Sequence, residues 1–359
     1  MSRLNAFVKA LTENGFDAAI VSKVYHQRYL TNFEFHDGYV LVTPEKSYVL
    51  TDFRYEEAAR RTVSDEFEVI CPDCARLISI ASLLEKHGCK RVAVEETAVS
   101  IDLFERFQKA FPFATVTGGA SAILDGMRVC KDEEEIETIK AAQAITDAAF
   151  THILSVMSPE MTEVDVALEL EFFMRKNGAD SIAFSTIAVS GSESALPHGV
   201  PRRKKLEKGF LTMDFGAKKN GYCSDMTRTV VIGRADAEMK RLYNTVLTAQ
   251  AAALDAACEG YSCRALDKVA RDIIYGAGYE GCFGHSLGHG VGMLVHEDPR
   301  LATTVAPDAV LRRGHVVTVE PGIYLAGKYG CRIEDMIAVR SDGSVENLTH
   351  SKKELIELF

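Results

Sequence analysis

Two aspartates, Asp214 and Asp225, have a spacing that would let them hold a cation between them. Each lies in an apolar, β-branched run, and Lys218-Lys219-Asn220-Gly221 separates the runs, which is typical of a β-hairpin. A turn centred between the second lysine and the asparagine places the carboxylates directly opposite each other, with Cβ atoms roughly 4.5–5.5 Å apart. Such groups repel each other and are costly to bury, and a bound cation would relieve both effects. The alternative is that both are ordinary edge-strand residues.

Two glutamates occur in a second pair of strand-like runs. Residues 315–320 end in Glu320, and the chain returns through residues 331–339, which include Glu334. Each run again places an acid among apolar neighbours. The sequence therefore predicts two hairpin-like units, each with a pair of candidate ligands, and a weak internal symmetry between them.

Three histidines, His285, His289 and His296, occur with four glycines in residues 284–297. Glycine permits close approach of the backbone to other groups. A glycine-rich loop with incidental histidines is the alternative interpretation. A phosphate-binding loop is disfavoured, because neither G-x-x-x-x-G-K nor G-x-G-x-x-G is present.

The charges of the four acids would balance two divalent cations. Four carboxylates and one imidazole are mostly hard ligands, which suit Mn²⁺, or Co²⁺ in vitro, better than a thiolate-type zinc site. Paired metal ions can share a water, lower its pKa and polarise a carbonyl group. The implied reaction is amide hydrolysis.

Composition narrows the remaining classes of function. A net charge of -10 argues against nucleic acid as the main partner, and Arg202-Arg203-Lys204-Lys205 is expected to be a solvated loop. No apolar run reaches the roughly 20 residues that span a bilayer, so no membrane is expected. No signal peptide is evident at the N-terminus, which predicts a cytoplasmic protein with reduced thiols.

Cys71 and Cys74 form a lone C-x-x-C motif. We interpret them as two ordinary thiols, and a redox or metal-binding role is the alternative.

Two domains are expected from the length and from the periodic segments. The first, residues 1–122, reads as an α/β layer with a mixed sheet, and residues 39–43 and 47–51 should form a hairpin. The second, residues 130–359, reads as α+β, with helices covering an antiparallel sheet. The first domain is predicted to contain helices at 4–13, 54–61, 75–87 and 101–110, and the second at 131–157, 162–177, 238–258 and 265–275.

The ordered set Asp214, Asp225, His289, Glu320 and Glu334 resembles that of the pita-bread metallopeptidases, in the branch of prolidase and aminopeptidase P. The likeness covers essentially the whole chain. It implies a creatinase-like α/β N-terminal domain and a pita-bread catalytic domain with pseudo-twofold symmetry. It also implies that these five residues bind two divalent metal ions, with Mn²⁺ expected and Co²⁺ or Zn²⁺ as alternatives.

The resemblance extends to residues around the ligands. His198 is similar to a histidine on the substrate side, and His296 to one that stabilises the tetrahedral intermediate. His285 is similar to a further active-site histidine, and Glu320 would also act as a proton shuttle. The family's N-terminal domain supports dimerisation and can reach the partner's active site, which makes a homodimer the expectation and His36 a candidate substrate-binding residue.

Arg332 has two interpretations that the sequence leaves open. It suits bidentate capture of a dipeptide's C-terminal carboxylate, and it equally suits pairing with the acids of the metal site. The expected activity is hydrolysis of the bond preceding proline in an Xaa-Pro dipeptide, and aminopeptidase P, acting on longer peptides, is the alternative. Creatinase and non-catalytic pita-bread binding modules would be expected to lack ligands, and none is missing here.

Overall fold

The computed structural model describes residues 2–73 and 75–359. Two compact units divide the chain between Arg128 and Val129. The eight described cysteines are free thiols, whereas Cys74 lies outside the described residues. Among the described helices, none is both long enough and apolar enough to cross a membrane.

The first unit is built on one six-stranded mixed sheet, as predicted. Its strands lie in the order β4-β3-β2-β1-β5-β6, with β3/β4, β1/β5 and β5/β6 parallel and the other neighbours antiparallel. The expected hairpin is β2–β3, in which Tyr39 pairs with Leu50. The elements are α1 (Arg3–Glu13), β1 (Ala18–Val21), α2 (Val24–Thr31), β2 (Tyr39–Val42), β3 (Ser47–Leu50), α3 (Phe53–Thr62), β4 (Phe67–Ile70), α4 (Arg76–Lys86), β5 (Arg91–Val94), α5 (Ile101–Ala110), β6 (Thr115–Gly118) and α6 (Ala120–Val129).

Two helices of this unit, α2 and α6, were not predicted. Helix α2 buries polar side chains, including His26 and Gln27, so its sequence shows no apolar periodicity. The ring of His26 is held between Glu95 and Asp125. Helix α6 follows two glycines that resemble a linker, although Leu124 is fully buried. The formation of both helices therefore depends on tertiary contacts, which the local sequence pattern does not reveal.

The second unit has four long helices and four sheets. The helices are α7 (Glu133–Val156), α8 (Glu163–Lys176), α9 (Ala237–Ala256) and α10 (Cys263–Gly276). The strands are β7 (Ser181–Ile182), β8 (Ile187–Ser190), β9 (Gly209–Phe215), β10 (Ala217–Lys219), β11 (Tyr222–Cys223), β12 (Met226–Ile232), β13 (Gly288–Gly290), β14 (Glu297–Leu301), β15 (Val316–Val319), β16 (Gly322–Leu325), β17 (Tyr329–Arg332), β18 (Asp335–Val339), β19 (Val345–Asn347) and β20 (Glu357–Leu358).

All eight predicted helices are present, with ends within two residues of those expected. The two larger sheets of the second unit have the orders β20-β12-β9-β8 and β14-β13-β15-β18-β19. Their pairings are antiparallel except for β12/β20. The expected α+β arrangement is therefore confirmed.

The second unit consists of two halves in which the same arrangement of elements occurs twice. Helices α8 and α10 both have 14 residues and begin one hundred positions apart, after caps at Thr162 and Ser262. Each cap residue also forms an isolated antiparallel bridge, Thr162 with Lys205 and Ser262 with Val310. Each half has its own apolar core, one around α7, α8 and β9 and the other around α9, α10 and β15. The weak symmetry seen in the sequence thus extends to helices and cores.

Candidate active site

A cavity of ≈ 500 Å³ in the second unit collects nearly all of the candidate residues. Its walls include the five expected ligands and four of the expected substrate-side residues: Asp214, Asp225, His289, Glu320, Glu334, His198, His285, His296 and Arg332. His36 belongs to the first unit, where its ring is exposed and Nε2 lies 3.9 Å from a carboxylate oxygen of Glu34. The substrate-binding role of His36 stays a prediction.

The first hairpin carries Asp214 and Asp225 in a register different from the predicted one. Asn220 and Gly221 both have positive φ, 48° and 83°, so the turn is centred between them. Asp214 therefore pairs with Thr227, and the prediction that it lies directly opposite Asp225 is wrong. The physical reason is that Asn-Gly favours a tight turn with two positive φ angles. Asp225 instead occupies the break between β11 and β12.

The second hairpin has one register over its whole length. Val319 pairs with Asp335 in the β15/β18 ladder, and Gly322 pairs with Arg332 in the β16/β17 ladder. Between the two ladders the regular pairing is interrupted. Continuing this register places Glu320 opposite Glu334 in the interruption. Pro321, which has no N–H to donate to a strand ladder, falls in the same interruption. Each hairpin thus delivers its acids where regular pairing stops.

His289 is placed by two glycines on the short strand β13. A Cβ at Gly288 would lie 1.9 Å from the carbonyl oxygen of Thr318, and one at Gly290 would lie 2.2 Å from that of Asp298. The ring Nδ1 donates to the carbonyl of Gly290 at 3.1 Å, so Nε2 of the neutral ring carries the lone pair that could bind a metal ion. Burial lowers the pKa of His289 to about 3, so the ring is neutral and suited to bind a metal ion.

The acids form a buried cluster whose negative charges are poorly compensated. Burial, together with Glu334, Asp214 and Glu320, raises the pKa of Asp225 well above its usual range. The pKa of Glu334 is likewise raised, first by burial and then by Glu320 and Asp214. Burial raises the pKa of Glu320 to about 8, although Arg332 acts in the opposite direction. Such a cluster is disfavoured without cations.

The donor atoms fit divalent metal ions. One ligand atom each from Asp225, His289 and Glu334 lies within 4.8 Å of the other two. Nε2 of His289 lies 3.3 Å from Oε1 of Glu320 and 3.6 Å from Oδ2 of Asp225. Oδ1 of Asp214 is buried with no hydrogen-bond partner in the described part of the chain, which an ion would supply. Oxygen-rich sets with one imidazole suit hard or borderline divalent ions.

Arg332 is almost completely buried, and its guanidinium is fully engaged by the protein. Nη2 donates to Asp214 at 2.6 Å, Nε to Thr227 at 2.9 Å and Nη1 to the hydroxyl of Tyr324 at 2.8 Å. Of the two interpretations that the sequence left open, these contacts favour pairing with a ligand acid. Nη1 also donates to the carbonyl of Pro197 at 3.3 Å, so each of the three guanidinium nitrogens has a partner within the protein.

A hydrogen-bond chain continues from Arg332 to His285. The hydroxyl of Tyr324 lies 3.0 Å from Nε2 of His285, and Nδ1 of the same ring lies 2.8 Å from the carbonyl of Ser286. Burial lowers the pKa of His285 to about 4, so the ring is neutral. Because Nδ1 donates to a carbonyl, Nε2 accepts from Tyr324. Both ring nitrogens of His285 are thus used within the protein.

His198 and His296 differ from His285 because both are exposed at the cavity. Neither ring has a hydrogen-bond partner among the residues that the structure describes. The ring of His296 packs edge-on against His289, with centroids 4.3 Å apart. Both histidines can therefore direct a ring nitrogen at a bound molecule next to the acids.

Arg300 was not predicted from the sequence. It is exposed, lines the cavity, and pairs across strands with His289. It forms no hydrogen bond or ion pair within the described chain. Reading residues 288–301 as a hairpin would have placed it beside the metal site. The apolar part of the wall, which was not predicted either, consists of Phe184, Ile187, Pro197 and Val295.

Buried contacts between the two halves hold the ligands in place. The hydroxyl of Thr227 donates to Glu334 at 2.7 Å, and the backbone N–H of Glu334 donates to the carbonyl of Thr227 at 3.2 Å. Arg228, which is 1% exposed, donates to the carbonyl of Glu334 and to the carboxylate of Asp335. The strand of the first hairpin thus fixes a ligand of the second.

Comparison with known proteins agrees with this geometry. Residues 137–341 match metallopeptidase family M24, and residues 3–130 match the creatinase/prolidase N-terminal domain. The chain belongs to metallopeptidase family M24. The expected creatinase-like and pita-bread architecture is confirmed, and so is the resemblance to the prolidase branch.

Known peptidases resemble this chain over nearly its whole length. The Xaa-Pro dipeptidase from Bacillus anthracis has 40% identity and a TM-score of 0.94, covering 99% of each chain. The X-Pro aminopeptidase from Thermotoga maritima has 37% identity and a TM-score of 0.90, covering 96% of this chain and 98% of that one. The Xaa-Pro dipeptidase of Pyrococcus horikoshii is 35% identical over 99% of this chain and 98% of its own length. As an M24 member this chain is a metallopeptidase, a hydrolase that depends on divalent metal ions.

Proposed function

We propose that this chain is an Xaa-Pro dipeptidase that hydrolyses the peptide bond before proline. Residues 130–359 form the catalytic domain, in which Asp214, Asp225, His289, Glu320 and Glu334 hold two divalent cations, with Mn²⁺ as the native metal. Residues 1–122 form the creatinase-like domain. The observation that carries the proposal is the convergence of these five donors on one cavity beside two exposed histidines and Arg300.

The side chains around the donors have separate tasks. Bound divalent ions would supply a water of lowered pKa and polarise the scissile carbonyl group. His198 and His296 donate hydrogen bonds to the carbonyl oxygen as negative charge develops on it. Glu320 accepts a proton from the attacking water and delivers it to the proline nitrogen as the bond breaks. Arg332 and Tyr324 orient Asp214 and His285 and do not touch the substrate.

Arg300 is the residue that we assign to the C-terminal carboxylate of a dipeptide. Its guanidinium is exposed at the cavity and has no partner in the described chain, and arginine binds carboxylates in a bidentate manner. The apolar side chains of Phe184, Ile187 and Val295 suit the proline ring and an apolar residue before it. His36 remains a candidate for reaching a partner's site in a homodimer, and a cytoplasmic location is proposed.

Aminopeptidase P activity on longer peptides is the second candidate. Its support is the likeness to the Thermotoga maritima X-Pro aminopeptidase, which extends over nearly the whole chain. The two activities differ in the group on the C-terminal side of proline, which is a free carboxylate in one case and a further peptide bond in the other. A clamp at Arg300 favours the first.

The decisive experiment compares metal-stripped and Mn²⁺-reloaded protein on Ala-Pro, Ala-Pro-Ala and Ala-Gly. Metal-dependent hydrolysis of Ala-Pro alone is the expected result. Preference for Ala-Pro-Ala would replace the dipeptidase with an aminopeptidase P. Equal cleavage of Ala-Gly would remove the specificity for proline, and no cleavage by the metal-loaded protein would contradict the proposed activity.

A further inference from the structure

His296 lies at the end of a loop that turns around one buried carboxylate. The loop consists of residues 291–296 and joins β13 to β14, and its last two residues, Val295 and His296, line the cavity. Glu297 begins β14, and Oε1 of its carboxylate accepts the backbone N–H of Leu294 at 2.9 Å. The group that holds the loop from inside therefore belongs to the residue next to His296.

The loop fits closely around this carboxylate. A Cβ at Gly292 would lie 2.5 Å from Oε2 of Glu297 and 2.9 Å from Oε1, so any side chain there would displace the acid. The carbonyl of Gly292 also accepts the backbone N–H of Cys223 at 2.7 Å, two residues before Asp225. The loop is thus attached to the first hairpin on its outside and to Glu297 on its inside.

Lys131 supplies a counter-charge to this carboxylate. Its Nζ donates to Oε2 of Glu297 at 3.2 Å, and the two side chains are 1% and 7% exposed. The lysine is itself fixed, because its backbone N–H donates to the carbonyl of Gly314 at 2.7 Å and Nζ also donates to the carbonyl of Val129 at 3.3 Å. The cost of desolvation offsets most of the attraction in a buried ion pair, but such a pair can still select one arrangement of the chain.

We propose that Glu297, held by Lys131, is a positioning residue that keeps the ring of His296 in place beside the candidate metal ligands. The inference rests on the proposed function, in which His296 donates a hydrogen bond to the scissile carbonyl oxygen. The described cavity walls include neither Glu297 nor Lys131, so both act through the loop. The ring of His296 has no hydrogen-bond partner among the described residues, so its main chain and its contact with His289 set its place.

Glu297→Gln is the main variant, because its amide oxygen can still accept the N–H of Leu294 while the negative charge beside Lys131 is removed. A displaced donor weakens the transition state more than substrate binding. We therefore expect kcat on Ala-Pro to fall by roughly tenfold, with little change in KM and with unchanged metal content after dialysis. Lys131→Met combined with Glu297→Gln removes both charges and guards against a single variant that does not fold, and its kcat should fall equally.

A double-mutant cycle separates positioning from a general structural effect. In protein that carries His296→Ala and keeps His198, Glu297→Gln should change kcat by less than about twofold, because the ring through which it acts is absent. Damage to the fold would lower kcat equally in both backgrounds. Glu95→Gln is the matched control, since it neutralises a fully buried carboxylate that pairs with His26 in the first unit, and it should leave kcat unchanged.

A second measurement does not depend on turnover. The NMR signal of the Cε1–H group of His296, assigned by its loss in His296→Ala, should move or broaden in Glu297→Gln and stay in place in Glu95→Gln. An unchanged signal would overturn the proposal, and so would full kcat in Glu297→Gln or equal losses with and without the His296 ring. Metal-loaded wild-type protein that hydrolyses no peptide would contradict the proposed function instead, and the His296 signal alone would then decide the positioning role.

Discussion

The buried guanidinium of Arg332 forms an ion pair with Asp214, in which Nη2 of the arginine lies 2.6 Å from Oδ2 of the aspartate. The opposite oxygen of Asp214, Oδ1, is buried without a partner among the described residues. The arginine thus fixes the orientation of the carboxylate and directs its free oxygen into the cluster of acids. Thr227 and Tyr324 hold the guanidinium in turn.

Arg332→Lys is expected to lower kcat on Ala-Pro by roughly 10–100-fold with little change in KM. Lysine keeps the charge but cannot bond Asp214, Thr227 and Tyr324 at once, so the ligand would lose its orientation. Metal content and steady-state kinetics of the variant are the measurements. A rise in KM confined to substrates with a free C-terminal carboxylate, at constant kcat, would instead support direct capture of substrate by Arg332.

Arg300→Gln is expected to raise the KM for Ala-Pro by about tenfold, because one charge-assisted contact to the substrate would be lost. The KM for Ala-Pro-amide, which has no terminal carboxylate, should change little. The comparison of the two substrates in wild type and variant is the measurement. An equal effect on both would argue that Arg300 acts on the histidines or on the fold.

Asp225→Asn is expected to reduce both bound metal and activity, because a neutral amide replaces a carboxylate that the cluster of donors contributes. Metal can be counted by mass spectrometry after dialysis, independently of turnover. Asp308→Asn, at an exposed acid away from the cavity residues, serves as the control and should behave as wild type. Full metal content and full activity in Asp225→Asn would refute its role as a ligand.

Gly288→Ala is expected to destabilise the protein by about 1–3 kcal/mol and to impair metal binding, because the new Cβ would meet the carbonyl oxygen of Thr318 at 1.9 Å. Gly284→Ala is the matched control in the same loop, since a Cβ there has no heavy atom within 4 Å. Thermal unfolding and metal content would be compared. Similar behaviour of the two variants would contradict the view that β13 is held by close backbone contact.

Glu163 should make folding stability depend on pH. Burial raises its pKa, but hydrogen bonds from Arg202 and Ser190 outweigh that effect and hold the pKa of the carboxyl below its usual range. The unfolded chain therefore binds more protons than the folded one in acid. The stabilisation is present above the ordinary pKa of glutamate, near 4.5, and is lost as the pH falls through the lower folded value.

Glu163→Gln is expected to lower the free energy of unfolding by about 2 kcal/mol at pH 7, since a buried charged acceptor is lost. The difference from wild type should shrink as the pH falls below the ordinary glutamate pKa. Denaturant unfolding at several pH values measures it. Glu160→Gln removes a carboxylate that is exposed and paired with Lys205, and should cost less than about 1 kcal/mol. A pH-independent difference for Glu163→Gln would contradict the assignment.

The sequence predicted those features that depend on local patterns. Helix α10 follows from apolar periodicity, and the five candidate ligands follow from acids and a histidine placed in apolar or glycine-rich runs. The predicted register of the first hairpin was wrong. The prediction placed the turn at Lys219 and Asn220, whereas the observed turn lies at Asn220 and Gly221, because Asn-Gly favours two positive φ angles.

Other features depend on residues that are distant in the chain. The role of Arg332 was undecidable from its own strand, because Asp214 and Tyr324 approach it from other segments. Helix α2 gave no apolar signal, since its buried residues include polar ones such as His26, which is satisfied by Glu95. Arg300 comes to lie beside His289 only through the pairing of β13 with β14.

The repeated plan of the second unit has a consequence for motion. One half supplies Asp214 and Asp225 to the cavity, and the other supplies His289, Glu320 and Glu334. A displacement within one half moves only its own ligands together, whereas sliding one half against the other changes every distance between the two sets at once. The distances between ligands are therefore sensitive to the relative position of the two halves. The hydrogen bond from Thr227 to Glu334 joins the halves next to the cluster and restrains that position.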